Sequence, residues 1–186
     1  MSGTQRADAR RNYARVLAVA ADEVAAHGAG ASLEQIARTA GVGSATVRRH
    51  FPTRRALLEA VSRQRIEALC VRALDLINNR DSRGALVDWL SEVVAYCVTA
   101  RGLAEALAYD GDVHKNSCSA ALEDAAAPLL QRAAQDGMVS KDLTVEDLIT
   151  FAVGIALATA HYPDPAAQAD RLFRLAVAGL SPAMTR

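Results

Sequence analysis

The feature that most restricts this chain is a glycine turn, Gly41-Val42-Gly43, set between two short stretches that each read as helix. Glycine lets the backbone reverse tightly, and helical patterns on both sides make the stretch a helix-turn-helix signal of moderate specificity. Upstream, Ser32 is a suitable N-cap, Gln35 completes a capping-box pattern, and Leu33, Ile36 and Ala37 supply an inner face. Downstream, Ser44 to His50 makes a short third helix closed by Phe51-Pro52. Ahead of both, Tyr13, Val16, Leu17, Ala20 and Val24 mark one apolar stripe on a helix that begins near Asp8 and ends at His27-Gly28-Ala29-Gly30.

The third helix has a definite polarity. At about 100° per residue with Val47 set to zero, Phe51 falls near 40°, so these two share the buried side. Ala45 and Arg49 fall near 160° and 200°, directly opposite, with Thr46 and Arg48 on the two flanks. A helix in a DNA major groove needs this arrangement, because outermost side chains meet base edges and flanking ones meet the phosphate walls. Ala45 can approach a thymine methyl, Arg49 can reach guanine O6 and N7, and Thr46, Arg48 and His50 suit phosphate.

Charge supports the same end of the molecule. The chain is neutral overall, with 21 basic and 21 acidic residues. Up to Arg55, however, nine arginines face four acids, which leaves the head at +5 and the remainder at −5. A basic head on an acidic body suits a polyanion bound by the head alone.

The rest of the chain also reads as helix, since β-branched runs are missing and aromatic residues make up only 4%. Thr53 caps a long fourth helix with Leu57, Leu58, Val61, Ile66, Leu69 and Leu76 inward, ending at Asn78-Asn79-Arg80-Asp81-Ser82. Further helices are predicted over about Gly84 to Thr99, Gly102 to Tyr109 and His114 to Asp136, the last bent at Pro128 and stopped by Gly137. Thr144 caps another that ends near Ala160, and a final one ends at Gly179. The fold class is therefore all-α, with about nine helices: an N-terminal helix-turn-helix domain over residues 8–52 and a helical domain over 53–186.

Several function classes find no support. There is no GxSxG, HExxH or P-loop, and no GxGxxG after a strand, so an enzyme is not predicted and no cofactor is expected. His114 and Cys118 sit one helical turn apart, but two ligands do not make a structural zinc site, so no metal is expected. No apolar h-region opens the chain and no run approaches a membrane span. Cys70, Cys97 and Cys118 are odd in number and unpaired in pattern, which points to a reducing cytoplasm.

Residues 12–60 resemble the N-terminal domain of the tetracycline repressor (TetR) family. The matching string is SLEQIARTAGVGSATVRRHFPTRRALLEAV, Ser32 to Val61. Its core runs through Ile36-Ala37, Ala40-Gly41-Val42, Thr46, His50-Phe51 and Leu57-Leu58. The resemblance implies an all-α homodimer whose third helix reads the major groove of double-stranded, palindromic operator DNA. It also implies phosphate contacts from Ser32, Thr46, His50 and Arg54, the last standing where the family usually has lysine. With Ser44, Ala45, Arg48 and Arg49 from the third helix, these form the expected DNA-binding set. Arg48 departs from the tyrosine common at its position, exchanging a rigid ring for a charge.

The same resemblance implies a small-molecule inducer and a dimer interface in the C-terminal region. Trp89, Tyr96, Cys97, Tyr109 and Cys118 are candidate walls for a small apolar ligand. Leu148, Ala152, Ile155, Ala156 and Thr159, with Leu172, Leu175, Ala176 and Gly179 on the final helix, are the expected interface. A purely intrachain core is the alternative for these two stripes. The function expected is a transcriptional repressor released from its operator by a ligand; a ligand-independent activator or an architectural DNA-binding protein is the alternative.

Overall fold

Small polar caps, glycines and a proline pair cut the chain into helices close to where the pattern predicts them. In a computed structural model, the backbone is described for residues 3–107 and 117–179, and side chains for 7–28, 30–100 and 120–179. Every regular element among these residues is helical: α1 (Gly3–His27), a 3-10 turn (Gly28–Gly30), α2 (Leu33–Ala40), α3 (Ser44–His50), α4 (Arg54–Leu76), α5 (Ser82–Leu107), α6 (Ser117–Gln135), α7 (Val145–Thr159) and α8 (Pro165–Gly179). The helices fall into two compact units: one reaches from α1 to Gln64 within α4 and takes in the end of α5 from Gly102, and the other holds Arg65–Arg101 with α6 to α8.

The first unit is built around the turn. Gly41 ends α2 in the left-handed conformation (φ 64°), which a side chain would strain. Its N–H meets the Arg38 carbonyl at 3.2 Å and the next N–H, of Val42, meets Ala37 at 3.0 Å. This paired closure satisfies carbonyls that the end of α2 would otherwise leave open. α1 and α3 both pack on α2. Val16, Ala20, Ile36, Val47, Phe51 and Leu57 are its most deeply buried large or central side chains.

The cap of α2 departs from the expected reciprocal pattern. Ser32 Oγ accepts the Gln35 N–H at 3.2 Å, as predicted. Gln35, however, turns its amide to Thr39 Oγ1, and the Ser32 N–H goes to Glu23 Oε1 of α1 at 3.2 Å. A carboxylate is the stronger acceptor, so the charged group of a neighbouring helix displaces the local amide. Thr53 caps α4 as predicted, its Oγ1 accepting the Ala56 N–H at 3.0 Å.

The second unit holds the larger core. Trp89 of α5 is fully buried and donates its indole N–H to the Leu69 carbonyl of α4 at 3.0 Å. Around it gather Ala73, Val93, Ala126, Leu129, Ala152 and others from α4 to α8. Two arginines close helix ends from a distance: Arg132 donates to the Ile77 carbonyl just past α4, and Arg83 to Val177 near the end of α8 at 3.1 Å. A cation there complements the negative end of the helix dipole.

α5 differs from the sequence expectation. It continues through Gly102 to Leu107, so the two helices predicted there are one, and eight α-helices are present among the described residues. Thr99 turns its hydroxyl back onto the Ala95 carbonyl at 2.7 Å instead of ending the helix. An interior glycine costs only about 1 kcal/mol relative to alanine, too little to break a packed helix. Pro128 likewise stays inside α6. No described helix is long and apolar enough to cross a membrane.

Candidate nucleic-acid interface

The third helix is short, so its orientation rests on few anchors. Val47 and Phe51 are both buried, and Ala45 and Arg49 on the opposite side are exposed. Ser44 and Arg48 are exposed as well, while Thr46 and His50 are half-buried on the flanks. The polarity inferred from helical period is thus the polarity of α3.

Each remaining residue of the expected DNA-binding set has a definite setting. His50 lies edge-on to Tyr13 of α1, with ring centroids 5.2 Å apart at 69°, and Tyr13 also faces Phe51 at 5.9 Å. The imidazole is therefore held by an aromatic neighbour that sequence reading had placed only in the stripe of α1. Ser32, half-buried, uses its oxygen as a cap acceptor, and its hydroxyl bonds the Glu34 carboxylate. Arg54 begins α4 exposed and donates to the Ala31 carbonyl at 3.4 Å, which draws its guanidinium toward the start of α2.

Arg48 is the surprise. Its Nη2 meets Glu34 Oε1 of α2 at 2.8 Å, and this guanidinium holds the Glu34 carboxyl below the usual carboxylate range. The one available signal was that Glu34 is the sole acid between Val24 and Arg55. Arg49, by contrast, forms no hydrogen bond or ion pair among the described residues.

Two protein-family profiles match the chain: one described as bacterial regulatory proteins, tetR family, over residues 16–61, and one as transcriptional regulator SbtR-like, C-terminal domain, over residues 81–182. The chain belongs to the TetR family. A TetR transcriptional regulator from Streptomyces coelicolor, SCO0520, is 34% identical, with 92% of this chain and 99% of that chain covered at a TM-score of 0.75. A TetR regulatory protein from Mycobacterium vanbaalenii is also 34% identical, covering 96% and 99% at 0.72. FadR from Bacillus subtilis, solved with stearoyl-CoA, shares the fold at 0.51 with 17% identity, covering 90% and 98%. No curated protein matches the sequence. This TetR-family chain is accordingly a DNA-binding transcriptional regulator with a helix-turn-helix head.

In the second unit of this TetR-family regulator, the candidate ligand walls separate. Trp89 is central to the core with its N–H already bonded, whereas Tyr96 and Cys97 are half-buried. Burial pushes the Cys97 thiol up to about 11, so it stays protonated and apolar in character at neutral pH. Tyr109 and the Cys118 side chain lie outside the described residues, as does His114. No cluster of metal-ligating side chains occurs among the described residues.

On α7 the residues expected at the dimer interface face inward. Leu148, Ala152, Ile155, Ala156 and Thr159 are buried within their own chain, and Thr159 donates its hydroxyl to the Ile155 carbonyl at 2.8 Å. Leu148, Ala152 and Ile155 belong to the hydrophobic core of the second unit. The outward side of α7 is apolar too, with Val153 40% and Leu157 58% exposed and the exposed Gly154 beside them. On α8, Leu175 is 58% exposed and Gly179 exposed, while Leu172 and Ala176 are half-buried.

Proposed function

We propose that this TetR-family regulator is a homodimeric repressor that reads a palindromic operator through α3 and leaves it when a small apolar ligand enters the C-terminal unit. The observation that carries the reading is the polarity of α3: Val47 and Phe51 are buried while Ala45 and the unpaired Arg49 point outward. In this reading Arg49 makes a bidentate contact to guanine and Ala45 touches a thymine methyl. Ser32, Ser44, Thr46, Arg48, His50 and Arg54 bear on phosphates and set the register. Residues 8–52 act as the DNA-binding domain and 53–186 as the ligand-binding and dimerisation domain. Such a protein works in the cytoplasm and needs no catalytic group or cofactor.

The dimer forms through the outward faces of α7 and α8. Val153, Leu157 and Leu175 supply apolar surface there, and Gly154 permits close helix approach. Two-fold pairing puts the two recognition helices in successive major grooves about 34–36 Å apart. Ligand bound among Tyr96, Cys97 and their neighbours shifts the second half of α4. Because α4 is one continuous helix across the unit boundary, that shift reaches the head and changes the half-site separation. The ligand releases DNA only to the extent that it prefers the non-binding state.

Selection of random duplexes with the purified protein tests the reading. A palindromic consensus is expected, and Arg49→Ala then loses preference at one base pair per half-site, about 1–3 kcal/mol of discrimination. Arg54→Ala weakens all sequences alike and lowers the salt slope by about one unit per head. Recovery of no consensus overturns operator recognition. A reversed pattern between the two arginines overturns their assigned roles.

A further inference from the structure

We propose that Glu34 competes with the DNA backbone for Arg48, holding back the guanidinium on one flank of the recognition helix and so damping sequence-independent binding. The inference rests on the DNA-binding reading above and deepens it. Three observations carry it. The pair joins the first turn of α2 to the last turn of α3 at 2.8 Å, on the side of α3 that flanks the outward Ala45 and Arg49. Both side chains are open to water, 64% and 61% exposed, so the bond is weak enough to be exchanged for a phosphate oxygen. Glu34 is also the sole acid in the stretch from Val24 to Arg55, two residues from the Ser32 cap. A lone carboxylate in a basic face opposes an incoming phosphate unless a cation covers it.

When a duplex docks, Arg48 either stays on Glu34 and contributes no phosphate contact or moves to phosphate and uncovers a negative charge. Either way the head gains less from the backbone than its count of arginines implies. Its preference then depends more heavily on the base contact of Arg49. Glu34 is thus a positioning residue that acts through Arg48.

The test is binding of the full-length protein to a mixed-sequence duplex between about 50 and 200 mM salt. The proteins are wild type, Glu34→Gln, Arg48→Gln and the double variant, each confirmed as folded by its thermal melt. Glu34→Gln is expected to bind more tightly and to steepen the log–log salt slope by about one unit per head, so its gain is larger at the low end of that range by about threefold per head, or about tenfold for a dimer docked through both heads. Added to Arg48→Gln, the same change is expected to leave the salt slope unchanged and to give only the smaller gain of removing an uncovered carboxylate. An equal gain in both backgrounds overturns the proposal, because simple removal of negative charge then explains it. No gain, or a loss, in the wild-type background also overturns it. If the wild type binds no duplex at all, the DNA-binding reading itself fails, an outcome distinct from the other two.

Discussion

Replacing Trp89 by phenylalanine separates two roles that the sequence could not tell apart, keystone of a filled core or wall of an open pocket. Trp89 is fully buried on α5 and bonded through its N–H to Leu69 on α4. Trp89→Phe removes that hydrogen bond, worth about 1 kcal/mol. It also leaves roughly 40 Å³ unfilled, which at about 24 cal/mol per Å³ adds about 1 kcal/mol, and the lost transfer of the removed carbons adds about another 1. The expected loss is therefore about 3 kcal/mol, a large part of the roughly 5–15 kcal/mol that typically holds a domain folded. Denaturant unfolding followed by far-UV circular dichroism at fixed protomer concentration measures it, since the variant lacks the chain's only tryptophan. A loss below about 1 kcal/mol refutes the keystone argument. A tryptophan lining an existing cavity leaves little new void when trimmed, and the small value would be the mark of that geometry.

Two further perturbations follow from the helices of the second unit. Leu157→Glu places a charge on the outward face of α7 and is expected to convert the dimer to monomer in sedimentation, whereas Ala152→Leu overfills the intrachain core, costs about 1–3 kcal/mol and leaves the dimer intact. The opposite assignment would restore Ala152 to the interface. Thr144 and Asp147 form a reciprocal cap at the start of α7, and the bond from Thr144 lowers the Asp147 carboxyl below its ordinary value. A carboxyl lowered in the folded state binds fewer protons than in the unfolded chain, so its stabilisation is complete above the ordinary value of about 4 and fades as pH falls through the folded value. The stability gap between wild type and Asp147→Asn is therefore expected to narrow on acidification below about pH 4; a gap that widens there contradicts the cap.

Much of the head was legible because its signals are local. Gly41 needs its left-handed conformation within four residues of the bonds it closes, and the polarity of α3 follows from a period seen over seven residues. The pair of Glu34 with Arg48 spans fourteen positions and the bond from Ser32 to Glu23 spans nine, so neither has a periodic signature. On α7 the period correctly grouped Leu148, Ala152, Ile155, Ala156 and Thr159 on one face. It did not say what that face meets, because Val153 and Leu157 make the opposite side apolar as well. Periodicity assigns neighbours along a helix; the identity of the surface pressed against them depends on tertiary contacts. Gly102 misled for a related reason, since a residue that disfavours helix in isolation was outweighed by the helix around it.

The bond from Arg83 to Val177 ties together positions 94 residues apart. Arg83 emerges from the ribosome early and its acceptor near the end of synthesis. Until α8 is made, the guanidinium has no carbonyl to meet and the buried ring of Phe173 is missing from the shared core. The buried cluster from Val16 to Val61 and the closure of the turn after α2 are encoded before residue 65, and the unit that holds them takes in only the end of α5 besides. Assembly during translation thus has a built-in order, in which the part that touches the operator matures first and the remainder waits for its last helix.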